Sequence, residues 1–346
     1  MPTPSPARPA WLDYAWGIAV LLVALGYSML PELLLDVVFI FTWPLVFFLA
    51  GFESGARPRS SGRHLIRQRA RQLLLPYAGY SLLAWCLWLA WGALGLLEAP
   101  PQEPALALWG TLVATPRGAL LAHARPLWAL PALFVIETLT HPLDPTRWRP
   151  AWLAAATLAA WLVGWGMWLL GLTGLPWSLH ALPTLGACFL LGRQAAGWRL
   201  LRGSPSRLIA SLLQYAFAAV VFAAAAWNGR ADAALADWGR SYPLFTLGAL
   251  AGIGSAYARA ASIDGLRIAA WAGRRWLALL GGCYPAVLLM GAAVRACGAT
   301  CEIPAWAAAL VGLAQGVLAV GLVAALVQLG RARPWSPLAR RKLALS

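Results

Sequence analysis

The chain has 346 residues, 61% hydrophobic and 11% charged, with a formal net charge of +15. Soluble domains carry about 25% charged residues, and the apolar excess here comes in blocks of membrane-spanning length, so the composition points to an integral membrane protein. The arginines sit in short loops between apolar blocks, which argues against nucleic acid as a partner, and the five cysteines lack the paired spacing of a structural zinc site.

In chain order, residues 1–10 form a Pro-rich polar tail. The apolar run that follows has no small-residue cleavage site after it, so it reads as a retained helix rather than a secretory signal. Ten spans are expected, with approximate cores at 13–31, 34–53, 73–97, 126–142, 150–172, 177–196, 208–228, 242–260, 276–294 and 303–330. The blocks are continuously apolar and lack the alternation of barrel strands. The fold class is therefore all-α, a polytopic bundle of about ten transmembrane helices over residues 11–331. A basic tail follows at 332–346. The stretch 105–122, with Pro116 and Arg117, reads as a periplasmic or interfacial segment.

Charge sets the expected orientation. With both termini in the cytoplasm, 22 of the 27 basic residues fall on the inside, and only Arg117, Arg125, Arg230, Arg240 and Arg295 fall outside. Richness in arginine and alanine suggests a GC-rich bacterial genome and an inner-membrane location. The strongest basic block, "RPRSSGRHLIRQRARQLLLPY", has two readings. It anchors the chain on anionic lipid, or it holds a phosphate-rich donor through the paired hydrogen bonds of guanidinium.

Four stretches in order resemble the acyltransferase-3 family of integral membrane acyltransferases, in its sugar O-acetylase branch. "LDYAWGIAVLLVALGYS" is similar to the family's Asp-Tyr-Ala-Lys-Gly-Ile start and Gly-His-Ser end. "FTWPLVFFLAGF" (Phe41–Phe52) is similar to Phe-His-Met-Pro-Leu-Phe-Phe-Phe-Ile-Ser-Gly, and the arginine block follows it as in that family. "PLWALPALFV" (Pro126–Val135) resembles Leu-Trp-Phe-Leu-Pro-Ala-Leu-Phe, and "LPWSLHALPTLGACFLLG" (Leu175–Gly192) resembles the segment before the family's middle loop. A weaker fifth likeness is "WAGRRWLALLGGCYPAV" (Trp271–Val287), where the family has Gly-Arg-Asn-Ser and then a histidine. The resemblance implies a bundle that moves an acetyl or similar acyl group from a cytoplasmic thioester of acyl-CoA type to an envelope saccharide or lipid-linked glycan. No bound cofactor or metal is implied.

The motif histidines are replaced by Tyr27, Thr42 and Cys283, the basic residue near the start of the first span by Trp16, and the serine of the Ser-Gly pair by Ala50. Histidine titrates near 6.5 and suits proton transfer, whereas tyrosine titrates near 10. Tyr27 is a base only beside a strong positive charge, for which Arg125 is the candidate. Otherwise it is an interfacial tyrosine. Cys283 is either a thiol nucleophile or a small core residue. Asp13 matches the family's acidic residue and lies about 21 Å of helix away from Tyr27.

The expected catalytic set is thus Tyr27, Asp13 and Cys283. The expected substrate-binding set is Thr42, Glu32, Arg125 and Trp128, and the donor-binding set is Arg67, Arg69 and Arg71. Glu137 and His141, four residues apart, share a helical face as either a functional acid or a polar pair near the headgroups. Cys297 and Cys301 form a disulfide or two free thiols. Two other classes stay open beside an acyltransferase with an altered site. One is a non-catalytic protein of the same architecture that binds a glycan, lipid or partner. The other is a transporter or flippase.

Overall fold

The structure, a computed structural model, describes residues 9–57, 61–97, 103–143, 148–198, 206–262, 267–296 and 304–332. Residues 1–8 and 333–346 of the two tails, together with Cys297 and Cys301, lie outside the described residues.

Among the described residues the regular structure is helical, apart from one isolated bridge between Asp232 and Asp237. The helices are α1 (Ala10–Gly26), α2 (Glu32–Ala56), α3 (Gly62–Arg69), α4 (Leu75–Ala93), α5 (Pro104–Val113), α6 (Ala129–Thr140) and α7 (Pro150–Leu169). They continue as α8 (Leu182–Ala195), α9 (Arg207–Asn228), α10 (Tyr242–Ser262), α11 (Arg267–Gly273), α12 (Trp276–Ala296) and α13 (Ala305–Ala332). A wider π-turn at Ala70–Leu74 joins α3 to α4, and 3-10 turns at Arg125–Trp128 and Pro176–Ala181 lead into α6 and α8.

Among the described residues six helical stretches are long and apolar enough to cross a membrane: Glu32–Ala56, Gly62–Ala93, Pro150–Leu169, Leu208–Asn228, Trp276–Ala296 and Ala305–Leu329. The expectation of ten is met only this far. Helix α1 is apolar but has 17 residues, α6 has 12 and α8 has 14, and the 21-residue α10 is not among the six. The shortfall at α6 and α8 has a local cause. The chain reaches both through 3-10 turns, and just inside the second Trp177 and Ser178 hold left-handed φ values of 57° and 50°.

Helices α1 and α2 form the centre. Nearly every residue of α2 from Val38 to Phe52 is buried. Small residues let its backbone meet that of α8. A side chain on Gly51 would run into the Phe189 carbonyl, one on Gly55 into the Arg193 carbonyl, and one on Gly192 into the Phe48 carbonyl. Gly51 and Gly55 are four apart in "GFESG", the spacing that permits close packing of membrane helices. Helix α11 closes on α1 in the same way, Gly273 against the Asp13 carbonyl and Gly17 against Ala269. Trp16 stacks on Trp276 at 4.4 Å.

The segment expected to be periplasmic or interfacial holds α5 and a return coil, each bonded to neighbouring elements. Helix α5 runs antiparallel to α4, since Trp85 Nε1 donates to the Pro104 carbonyl and the Tyr77 hydroxyl to the Thr111 carbonyl. The non-helical return, 114–124, bonds the turn before α8. Thr115 Oγ1 donates to the Leu175 carbonyl at 2.8 Å and accepts from the Ser178 N–H, and Trp177 Nε1 donates to the Leu112 carbonyl.

Candidate functional site

Two ends of the bundle carry the polar residues. Helix α1 starts at one, with Asp13, and finishes at the other, with Tyr27.

At the arginine end the charges close on one another. Arg69 is buried and its Nε meets Glu137 Oε2, while Arg57 bridges Glu53 at 2.9 Å and Glu137 at 3.6 Å. Trp16 Nε1 also donates to Glu53, at 2.8 Å. Asp13 pairs with Arg274 at 3.1 Å. Arg67 and Arg71, one helical turn apart, are both exposed, so the three arginines of the expected donor set do not share a face. Glu137 is therefore part of an ion-pair network, while His141 lies beyond α6, beside Gly62.

The Tyr27 end is built differently. Helix α1 stops at Gly26, which packs against Phe39, and the Tyr27 N–H bonds back to the Ala24 carbonyl. Ser28 Oγ donates to the Leu25 carbonyl. Gln315, on α13, fixes the turn: its Oε1 accepts from the Met29 N–H at 2.8 Å and its Nε2 donates to the Val287 carbonyl at 3.0 Å. This holds the half-buried Tyr27 ring edge-on to Phe39 at 5.8 Å and to Tyr284 at 5.2 Å.

Charged groups surround these rings. Arg125, exposed on its 3-10 turn, is within electrostatic reach of Tyr27, Tyr284 and Asp232. The Arg230 guanidinium lies 4.1 Å over the Phe39 ring. Asp232 sits in the loop between α9 and α10, where its Oδ1 accepts from the Ala234 N–H at 3.0 Å. Burial pushes its carboxyl above the usual range, opposed by that hydrogen bond and by Arg230 and Arg125. The loop is rigid because Asn228, fully buried, donates to the Trp238 carbonyl at 2.8 Å and accepts from the Ser241 N–H at 2.9 Å. Among the described residues no hydrogen bond reaches the hydroxyl of Tyr27 or Tyr284, and no ion pair holds Arg125.

The end of α12 meets the chain beyond α4, where Arg295 donates to the Leu96 carbonyl at 3.4 Å.

The other expected residues are placed as follows. Thr42 is buried and donates to the Val38 carbonyl of its own helix. Cys283 is fully buried, within electrostatic reach of Tyr27, and its thiol donates to the Leu280 carbonyl at 3.2 Å. Neither presents its polar atom to Tyr27. The neighbouring Tyr284 does the facing. Trp128 is fully buried in the core, with Trp43 at 5.1 Å and Phe47 at 6.2 Å, and has no open face for a ligand. Glu32 is exposed in the first turn of α2, where a carboxylate favours the helix dipole. His180 is satisfied on both nitrogens. Nδ1 accepts from the Leu175 N–H, so the proton is on Nε2, which donates to the Ala234 carbonyl at 2.9 Å. Among the described residues no three His, Cys, Asp or Glu side chains are grouped to hold a metal ion.

Sequence reasoning missed Tyr284, Asp232, Arg230 and Phe39. Tyr284 was legible as the residue beside Cys283. Asp232 lies in a loop with no motif to mark it.

Compared with known protein families, curated proteins and solved structures, the chain matches none of them. What the fold defines is a class: among the described residues, a helical bundle with six helices long and apolar enough to cross a membrane.

Proposed function

We propose that the chain is a ten-span protein of a bacterial inner membrane, with both termini in the cytoplasm and an acyltransferase-3-like bundle. In this reading its Tyr27 end binds an envelope saccharide or lipid-linked glycan without transferring an acyl group to it. The observation that carries this is the state of the three positions where the resembling family has histidine. Thr42 and Cys283 spend their protons on carbonyls of their own helices, and Tyr27 is packed between rings with Asp232 as well as Arg125 nearby. No group at these positions is poised to take a proton from an acceptor hydroxyl. The same surroundings suit recognition. Aromatic rings offer faces to a sugar, and guanidinium, carboxylate and phenol offer hydrogen bonds to its hydroxyls.

A second reading, an active O-acyltransferase with Tyr27 as base, is favoured by one observation: Arg125 lies where a tyrosinate would need a cation. Its donor would be a cytoplasmic thioester of acyl-CoA type, met by Arg67 and Arg71.

The test uses the purified chain in detergent, with the envelope glycan fraction and acetyl-CoA measured separately. The first reading expects glycan binding that Arg125→Gln weakens about tenfold, the loss of one charge-assisted hydrogen bond. It also expects no acceptor-dependent release of CoA thiol. Thiol release that Tyr27→Phe abolishes would establish the second reading. Absence of glycan binding would refute the first.

A further inference from the structure

Among the described residues the carboxylates at the arginine end are all engaged: Glu53 by Arg57, Glu137 by Arg57 and Arg69, Asp13 by Arg274. Arginines that point outward there meet no counter-charge. Three of them lie on one outer strip. Arg63, Arg67 and Arg71 are spaced by four, close to one helical turn each, and all are exposed. Arg69 turns the other way, to Glu137, and its Nη1 donates to Gln72 at 2.7 Å. That pairing fixes the rotation of α3 against α6 and so keeps the strip facing outward.

The strip continues along α4 with a change of character. Leu75, 69% exposed, stands one turn after Arg71, and Gly79, Leu82 and Leu83 follow, all exposed. A side chain on Gly79 would meet nothing within 4 Å, so the strip is notched there. Guanidinium gives way to aliphatic surface between Arg71 and Leu75, as headgroup gives way to acyl chain in a bilayer. The length of the helix agrees. Gly62–Ala93 is one stretch of 32 residues, about 48 Å long, against a hydrocarbon core of about 30 Å. Roughly twelve residues therefore lie beyond the hydrocarbon. The charged end takes this overhang, because Leu82–Ala93 is apolar throughout. Counted from Gly62, it ends near Leu73 and contains all three arginines.

We propose that Arg67 and Arg71 hold the phosphate of an anionic phospholipid whose acyl chain lies along Leu75, Gly79 and Leu82. The planar fork of guanidinium gives phosphate paired hydrogen bonds, and two forks one turn apart grip one headgroup. The notch at Gly79 lets the chain lie against the helix backbone. The site is independent of glycan binding at the Tyr27 end and needs only that Gly62–Ala93 cross the membrane.

Native mass spectrometry of the full-length chain in detergent, titrated with lipid, tests this. Phosphatidylglycerol is expected to bind more tightly than phosphatidylcholine with the same acyl chains. Arg67→Gln and Arg71→Gln should each weaken it about fivefold, and together about thirtyfold, with phosphatidylcholine unchanged. Arg259→Gln, at an exposed arginine of α10, should alter neither lipid. Gly79→Leu fills the notch and should weaken the long-chain lipid but not its dihexanoyl form. Equal binding of the two headgroups, or an Arg259→Gln loss as large as that of Arg67→Gln, would reduce the effect to overall charge and overturn the site. A Gly79→Leu protein that binds long-chain phosphatidylglycerol as wild type does would overturn the path of the acyl chain. Acetyl-CoA that displaces the phosphatidylglycerol, with the same dependence on Arg67 and Arg71, would give these arginines to a thioester donor and overturn the lipid assignment.

Discussion

The two ends of the bundle use charge in opposite ways. At the arginine end, carboxylate and guanidinium neutralise one another: Glu137 with Arg69 and Arg57, Glu53 with Arg57, Asp13 with Arg274. At the Tyr27 end, Tyr27, Tyr284, Arg125 and Asp232 converge without bonding one another. Closed ion pairs between helices tie α2, α3 and α6 together and leave nothing to offer a ligand. Open groups over a rigid turn contribute little to stability and are free to bind. The contrast teaches where to expect structural damage and where to expect loss of recognition.

The largest effect should come from Glu137→Ala. It leaves Arg69 buried without its counter-charge, which costs about 3–5 kcal/mol. Denaturant or thermal unfolding in detergent reads this against Arg67→Ala, an exposed neighbour expected within about 0.5 kcal/mol of wild type. Equal effects of the two would break the comparison.

Next in size is a pH effect at His123. Burial lowers its pKa from 6.5 to about 4. The folded value lies below the unfolded one, so between these pH values the unfolded chain binds more protons. The stability held by the neutral imidazole is intact above pH 6.5 and is lost progressively as pH falls toward 4, at most about 3 kcal/mol. His123→Gln should flatten that part of the stability–pH curve. A slope unchanged by the substitution would place the titration elsewhere.

Asn228→Ala should cost about 1–3 kcal/mol, because it leaves the Trp238 carbonyl and the Ser241 N–H without their partner. It should also loosen the loop that presents Asp232, seen as faster hydrogen exchange over 229–241. The smallest stability effects belong to Tyr27→Phe and Arg125→Gln, each within about 0.5 kcal/mol, although Arg125→Gln weakens glycan binding. A Tyr27→Phe protein that fails to fold would show that the hydroxyl is structural, and the contrast between the ends would weaken.

Much of the helical layout was legible, since apolarity over a run of residues is a local property of the sequence. The helices that break the rule owe their shape to distant contacts. Nothing local marks 105–122 as a helix folded back on α4 with a buried coil behind it. That follows from Thr115 meeting Leu175, 60 residues on. The close packing of α2 on α8 rests on Gly51 and Gly55, whose spacing in "GFESG" the sequence reading passed over, and on their partner Gly192. At the site, Tyr27 and Arg125 were legible, one from the altered motif and the other from the orientation of charge. Arg69 looked like its neighbours Arg67 and Arg71, because helical rotation alone does not say which face meets Glu137. Cys283 drew attention by alignment with a lost histidine, while Tyr284, the next residue and about 100° further round the same helix, carries the ring that meets Tyr27.

The central claim, that the Tyr27 end recognises without transferring, is tested most directly by acetyl analysis of envelope glycans from cells with and without the chain. The account predicts the same acetyl content in both, with the glycan fraction still retained by the purified protein. Acetyl groups that appear only when the chain is present, and disappear again with Tyr27→Phe, would contradict it.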